Sequence, residues 1–358
     1  MPRGYGFSSL AMHLAVAMTG LMLAGCGDRS GPDIVTTTGM VTDIVRVVAG
    51  DRLQVEGLIG EGVDPHLFTP GRRDVERLMT ASVVIYSGLH LEGRMQQQFE
   101  QLQKQQRAER QVFAATDGLE RDALRFDPKF EGHPDPHVWM DVARWSQCVQ
   151  HVADRLAEHD GEGRARFDAN AAAYREQLSQ LDAYIREIVT SVPESQRYLV
   201  TAHDAFEYFG EAYGIEVRSI QGISTDSQAA IADVNALVEF IVEKQIPAIF
   251  VESSVPEKNI RAVIEGCAAR GWQVSIGGEL FSDAMGAPGT YEGTYLGMMD
   301  HNATTIARAL GGQAPERGWQ GKLEADHRVS AGDREPGAAN REAGDGVPAE
   351  TKEPASAN

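Results

Sequence analysis

Cysteine is scarce in this chain, with three in 358 residues. That excludes a disulfide-stapled scaffold and a Cys-rich zinc module. Basic charge is scarce as well: 33 Lys and Arg face 52 Asp and Glu, a net charge of −19. Sequence-independent nucleic-acid binding needs a basic face against phosphate, and a polybasic membrane surface needs the same excess, so both are excluded. No apolar run is long enough to cross a bilayer, which takes ~20 residues. No His-Glu-x-x-His metalloprotease signature occurs. What is present is the balance of a globular protein, 42% hydrophobic and 24% charged, with length for about two domains and a sizeable core.

The first residues do not read as fold. Arg3 is the only charge before Cys26, residues 7–23 are mostly apolar, and the stretch ends Leu23-Ala24-Gly25-Cys26. This is the layout of a secretory signal, and its ending resembles a bacterial lipobox. Residues 1–25 are therefore expected to be a lipoprotein signal peptide, with Cys26 lipidated and 26–33 a tether. The mature chain would then be extracytoplasmic and held to the bacterial membrane by lipid, on its periplasmic or cell-surface face. His13 would be lost with the signal.

Beyond the tether, strand and helix patterns alternate. Strands are expected at 34–38, 53–59, 83–86 and 112–114, and helices at 40–49, 74–80, 92–107 and 145–158. Such alternation predicts βα units on a parallel sheet. From Arg164 to Val189 there is neither Pro nor Gly, and Phe167, Ala171, Tyr174, Leu178, Leu181, Ile185 and Ile188 recur at steps of four and three. That is one long amphipathic helix, roughly 40 Å at ~1.5 Å per residue. A second βα series follows, with strands at 198–201, 216–220, 248–251 and 273–276 and helices at 205–213, 227–244, 256–270 and 294–310. The reading is α/β: an N-terminal lobe (34–160) and a C-terminal lobe (193–318), each a parallel sheet flanked by helices, joined by a rigid linker helix (161–192). Residues 319–358, rich in Ala, Gly, Glu and Pro toward the end, are expected to be a disordered tail.

Four loops place a His or carboxylate among turn residues. They are Asp64-Pro65-His66, the run from His133 through Pro134, Asp135 and Pro136 to His137, Thr201-Ala202-His203 directly after a strand, and Glu279 to Gly286 around Asp283. Ligand sites of α/β sheets lie outside the carboxyl ends of strands. Three imidazoles and a carboxylate suit a transition metal, with nitrogen and oxygen donors and no thiolate. Spacing alone does not choose between His133 and His137. His90, His151, His159, His301 and His327 read as surface or packing histidines, and Cys148 and Cys267 as small buried hydrophobes.

From about Ile34 to Pro315 the chain resembles the cluster A-I substrate-binding lipoproteins of bacterial metal ABC transporters. The blocks that carry the resemblance are Val35 to Thr38 with Ile44, Pro65 to Pro70 with Asp74, and Asp135 to Asp141. His203 to Phe206 with Tyr208, Phe209 and Tyr213 to Ile215, then Gly222 to Thr225, and Ser282 to Gly286 complete them. The resemblance implies His66, His137, His203 and Asp283 as metal ligands and selects His137 over His133. It also implies Zn2+ or Mn2+ as transported ligand, closure of the lobes on the ion, a permease with its ATPase as partner, and a monomer that is not an enzyme. Three His with one Asp is the more nitrogen-rich set and favours zinc, with manganese second. The long His-rich loop of many dedicated zinc binders is absent, since residues 117–135 hold only His133. Two other classes are alternatives. A surface adhesin would need adhesive repeats, and none is present. A zinc hydrolase would need an open coordination position and a base, for which Glu252 is the only candidate; its other reading is a lobe-edge carboxylate or a partner behind a ligand.

Overall fold

The structure is a computed structural model that describes Met1 and residues 32–104, 110–128, 130, 132–226 and 229–324. The expected signal segment, Cys26, His13, His327 and most of the expected tail lie outside the described residues.

The N-terminal lobe is built on β1 (Ile34–Thr36), α1 (Gly39–Ala49), β2 (Val55–Gly57), α2 (Arg72–Thr80), β3 (Val83–Tyr86), α3 (Gln96–Lys104) and β4 (Gln111–Ala114). Its strands form one parallel sheet in the order β2-β1-β3-β4. Alternation along the strands sends Ile34, Val83 and Ile85 into one hydrophobic cluster with α1. It sends Val35 and Val84 into another with Leu78 of α2 and Phe99 of α3. Helices therefore cover both faces, as a parallel sheet requires.

Helix α4 (Val142–His159) begins three residues before the expected start at Trp145. The Asp141 carboxylate caps it by accepting the Ala143 and Arg144 N–H groups, at 2.9 and 3.2 Å. Helix α5 (Arg164–Thr190) is the linker, and all seven residues of its predicted stripe are buried. It packs along α4, α1 and the last helix of the C-terminal lobe, so it is a core element and not a bare strut.

The C-terminal lobe contains β5 (Tyr198–Thr201), α6 (Glu207–Tyr213), β6 (Glu216–Ser219), α7 (Ile231–Lys244), β7 (Ala248–Glu252), α8 (Lys258–Ala269), β8 (Ser275–Leu280) and α9 (Tyr295–Ala309). The strands pair in parallel as β5-β6 and β7-β8, with β5 lying beside β7. Strand β8 is displaced from the expected 273–276 and runs on through Gly277 and Gly278. These glycines lie beyond the expected strand end and serve close packing. A Cβ at Gly277 would come within 2.8 Å of Ala309 on α9 and of Phe250 on β7. The extension carries the strand to Leu280, three residues short of Asp283.

One hydrophobic cluster runs from the first sheet through α4 and α5 to Phe209, Phe250, Met299 and Ile306. The lobes thus share a core with the linker helix, which restricts their relative motion. Cys148 lies in this cluster and Cys267 in a separate one within the second lobe, and both are free thiols. No helix among the described residues is long and apolar enough to cross a membrane.

Residues 319–324 correct the expected tail boundary. The Trp319 N–H donates to the Asp300 carboxylate at 2.9 Å, and Leu323 is buried. A buried Leu contributes about 1.5–3 kcal/mol. A chain ended after Gln320 is therefore expected to melt a few degrees below one ended after Glu324, as read by calorimetry of the metal-free protein.

Candidate metal centre

Two of the four loops use the same device. In Asp64-Pro65-His66 the Asp64 Oδ1 accepts the His66 N–H at 2.8 Å, and in Asp135-Pro136-His137 the Asp135 Oδ1 accepts the His137 N–H at 3.0 Å. The intervening proline fixes φ, and the aspartate closes a turn that presents the imidazole. His203 lies two residues past the end of β5. Glu252, the last residue of β7, takes the Ala202 and His203 N–H groups on Oε1 at 2.7 and 2.8 Å. Asp283 follows β8, in a loop clamped from both sides. Asn302 of α9 bonds both the N–H and the carbonyl of Phe281, while Trp139 Nε1 donates to the Ser282 carbonyl at 3.0 Å.

These loops bring His66, His137, His203 and Asp283 together, with one donor atom from each lying within 4.8 Å of the others. Among the described residues no other group of three or more His, Cys, Asp or Glu side chains converges in this way. His66 Nε2 lies 3.4 Å from His137 Nε2. Asp283 Oδ1 is 3.3 Å from His137 Nε2, and its Oδ2 is 3.1 Å from His203 Nε2 and 3.8 Å from His66 Nε2. A tetrahedron on metal–nitrogen bonds of ~2.0–2.1 Å has edges of about 3.3 Å, so these spacings suit one small divalent ion. Because both Asp283 oxygens face imidazoles, the carboxylate can serve through one oxygen or two.

The site is dry: His66 is 5% exposed, Asp283 1%, and His137 and His203 are fully buried. His203 Nε2 and both Asp283 oxygens have no hydrogen-bond partner of good geometry. Buried polar atoms are seldom left so, and a cation among them satisfies all three at once.

Electrostatics separates the histidines. Burial drives His66 down to about 3, against the attraction of Asp283. Burial opposes charge on His137 too, but Asp135 and Asp283 outweigh it and lift the group to about 9. His203 is raised well above its ordinary value because Glu252 and Asp283 together overcome burial. Asp283 is held well below the usual carboxylate range, since His203 and His137 overcome the burial penalty.

Two carboxylates orient the rings. Asp135 Oδ1 meets His137 Nδ1 at 2.7 Å and Glu252 Oε2 meets His203 Nδ1 at 2.5 Å, which turns each Nε2 toward the centre. The repeated Asp-Pro-His was the available signal for Asp135. Glu252→Gln is expected to weaken metal binding about 10–100-fold while leaving all four donors in place, as read by competition titration.

His133 does not join the group: its ring packs on His90, with centroids 3.8 Å apart, and on Phe130. His301 Nε2 bonds the Glu279 carbonyl, and His151 lies edge-on to Phe113.

The model of the family described as zinc-uptake complex component A, periplasmic, matches residues 34–309. The manganese-binding lipoprotein MntA of Bacillus subtilis is 42% identical over 304 residues, which is 83% of this chain and 97% of that protein. The zinc-binding protein TroA of Treponema pallidum is 46% identical over 282 residues, covering 78% of this chain and 89% of that protein. The solved structure of that TroA superposes with a TM-score of 0.75 over 78% of this chain and 99% of the solved chain.

Proposed function

We propose that this chain, which belongs to the zinc-uptake complex component A family of periplasmic proteins, captures a divalent transition-metal ion outside the cytoplasmic membrane and delivers it to an ABC permease for uptake. The observation that carries this reading is the set of four buried, converging donors, two from each lobe. His66 and His137 come from the first lobe, and His203 and Asp283 from the second. An ion bound by all four favours the form in which the lobes meet, in proportion to its differential affinity for that form. The permease then reads the loaded shape, and its ATPase supplies the work. The protein acts as a monomer anchored through Cys26.

Zinc is the favoured cargo and manganese the second. One relative carries manganese in its name and another zinc. Three imidazoles suit zinc, while two-oxygen binding by Asp283 would add the hard donor that manganese prefers. Hydrolysis is disfavoured because Glu252 is not free to act as a base: Oε1 takes two backbone N–H groups and Oε2 is engaged by His203.

Titration calorimetry of the purified protein with zinc tests the proposal; absence of tight one-to-one binding would overturn it. The pH dependence has a definite sign. Imidazole must be neutral to bind metal, and near pH 7 His137 and His203 hold protons against Asp283. Zinc is therefore expected to release protons on binding, seen as a heat that varies with buffer ionisation enthalpy. Affinity should rise with pH from 7 through about 9, where His137 loses its proton, and His203, also raised, adds to the rise. In the metal-free protein the same raised value means that stability from the His137 proton is present below its ordinary 6.5 and fades as pH climbs through about 9.

A further inference from the structure

His137 and His203 are each turned by a carboxylate on the ring nitrogen away from the centre, Asp135 and Glu252 respectively. At His66 the backbone of the loop is itself held. Two bridges hold that loop, one on each side of the ligand, and both reach consecutive residues of the facing lobe. On one side Asp64 is shared: Oδ1 takes the His66 N–H at 2.8 Å and Oδ2 takes the Thr225 hydroxyl at 2.5 Å. On the other, Arg94 donates through Nη1 to the Leu67 carbonyl at 3.0 Å and through Nη2 to Asp226 Oδ1 at 2.8 Å.

Polar bonds cross between the lobes at the His137 loop too, where Arg125 meets Glu207 and Glu211 and the Tyr208 hydroxyl donates to the Asp135 carbonyl. That loop, however, runs straight into Val138, Trp139 and Met140 of the shared hydrophobic cluster, which cannot part without exposing apolar side chains. The His66 loop contributes nothing to that cluster; its two bridges join it to the facing lobe, and Arg94 and Asp226 are exposed. Water can replace such bonds at small cost. The His66 loop is thus a place where one ligand can withdraw while the shared core stays closed.

We propose that the Asp64–Thr225 and Arg94–Asp226 bridges form a clasp that positions His66 and sets the rate at which the captured ion leaves. The four are positioning residues, since they act through the loop. The inference rests on the metal-capture reading above.

The test is the release of zinc from the full-length protein into excess chelator, followed by stopped flow. Thr225→Val removes the hydroxyl with little change in shape. It is expected to speed release about tenfold, the order lost with one hydrogen bond to a charged group, and to leave association unchanged. Thr225→Ser restores the donor and should restore the slow rate. Arg94→Gln should speed release a few-fold and remove most of its dependence on ionic strength. With cobalt(II) as probe, the ligand-field bands of Thr225→Val should match those of the wild type, showing an intact site. Wild-type release from Thr225→Val, or equal acceleration by the Val and Ser variants, would overturn the clasp alone. A wild-type protein that takes up no zinc would overturn the capture reading, and the clasp with it.

Discussion

Zinc binding is expected to fall by about two to four orders of magnitude in His137→Ala and to be unchanged in His133→Ala. The two histidines lie four residues apart in one Pro-rich loop, and only the tertiary structure separates them. His137 Nε2 stands 3.3 Å from Asp283 and 3.4 Å from His66 Nε2, whereas the His133 ring lies against His90 and Phe130. Removing His137 deletes a ligand and also leaves Asp135 and Asp283, both buried, without their shared counter-charge. The loss of counter-charge falls on the metal-free fold, because His137 is neutral once it binds metal. The loss of affinity comes from the deleted donor: removing an outer partner of a ligand already costs about 10–100-fold, and removing the ligand itself costs more. Competition titration against a chelator of known affinity measures the loss. The melting temperature of the metal-free variant shows how much of the cost falls on the fold. Equal losses at 133 and 137 would remove His137 from the ligand set.

The ratio of zinc to manganese affinity is expected to fall at least about tenfold on His203→Glu, provided Glu252 is changed with it. Carboxylate in place of imidazole makes a harder, oxygen-richer site, which manganese tolerates better than zinc does. Zinc should remain the tighter of the two, because the intrinsic order of affinities places it above manganese. The companion substitution is a demand of the structure. Glu252 Oε2 lies 2.5 Å from His203 Nδ1 in a fully buried pair. A carboxylate introduced at position 203 would therefore face another of like charge with no water between them. One of the two would stay protonated, and the metal-free protein should lose stability. His203→Glu with Glu252→Gln relieves that repulsion and isolates donor type. Paired competition titrations at one pH give the ratio. A ratio that stays constant or rises in the double variant would show that His203 is not a ligand or that site geometry outweighs donor chemistry.

Much of the architecture was legible because local burial leaves a periodic record. The expected strands 83–86 and 198–201 stand as β3 and β5, and the stripe from Phe167 to Ile188 is the buried face of α5. A helix that must cover a core repeats its apolar residues every three or four positions whatever that core contains. The loops carrying His66, His137, His203 and Asp283 were legible for a similar reason, since Pro, Asp and Gly mark where regular structure stops. The reach of β8 was not legible. Gly277 and Gly278 have the composition of a turn, and they stay in the strand because α9 and Phe250 come too close for any side chain there. Nor did the sequence disclose the shared core or the packing of Leu323, because each depends on residues far apart in the chain meeting. The sequence by itself determined the alternation of strands and helices, the linker and the loops that bear donors. The tertiary structure decided which donors converge, because Nε2 and Oδ atoms spread from position 66 to position 283 come within 4.8 Å only when two lobes fold onto one core.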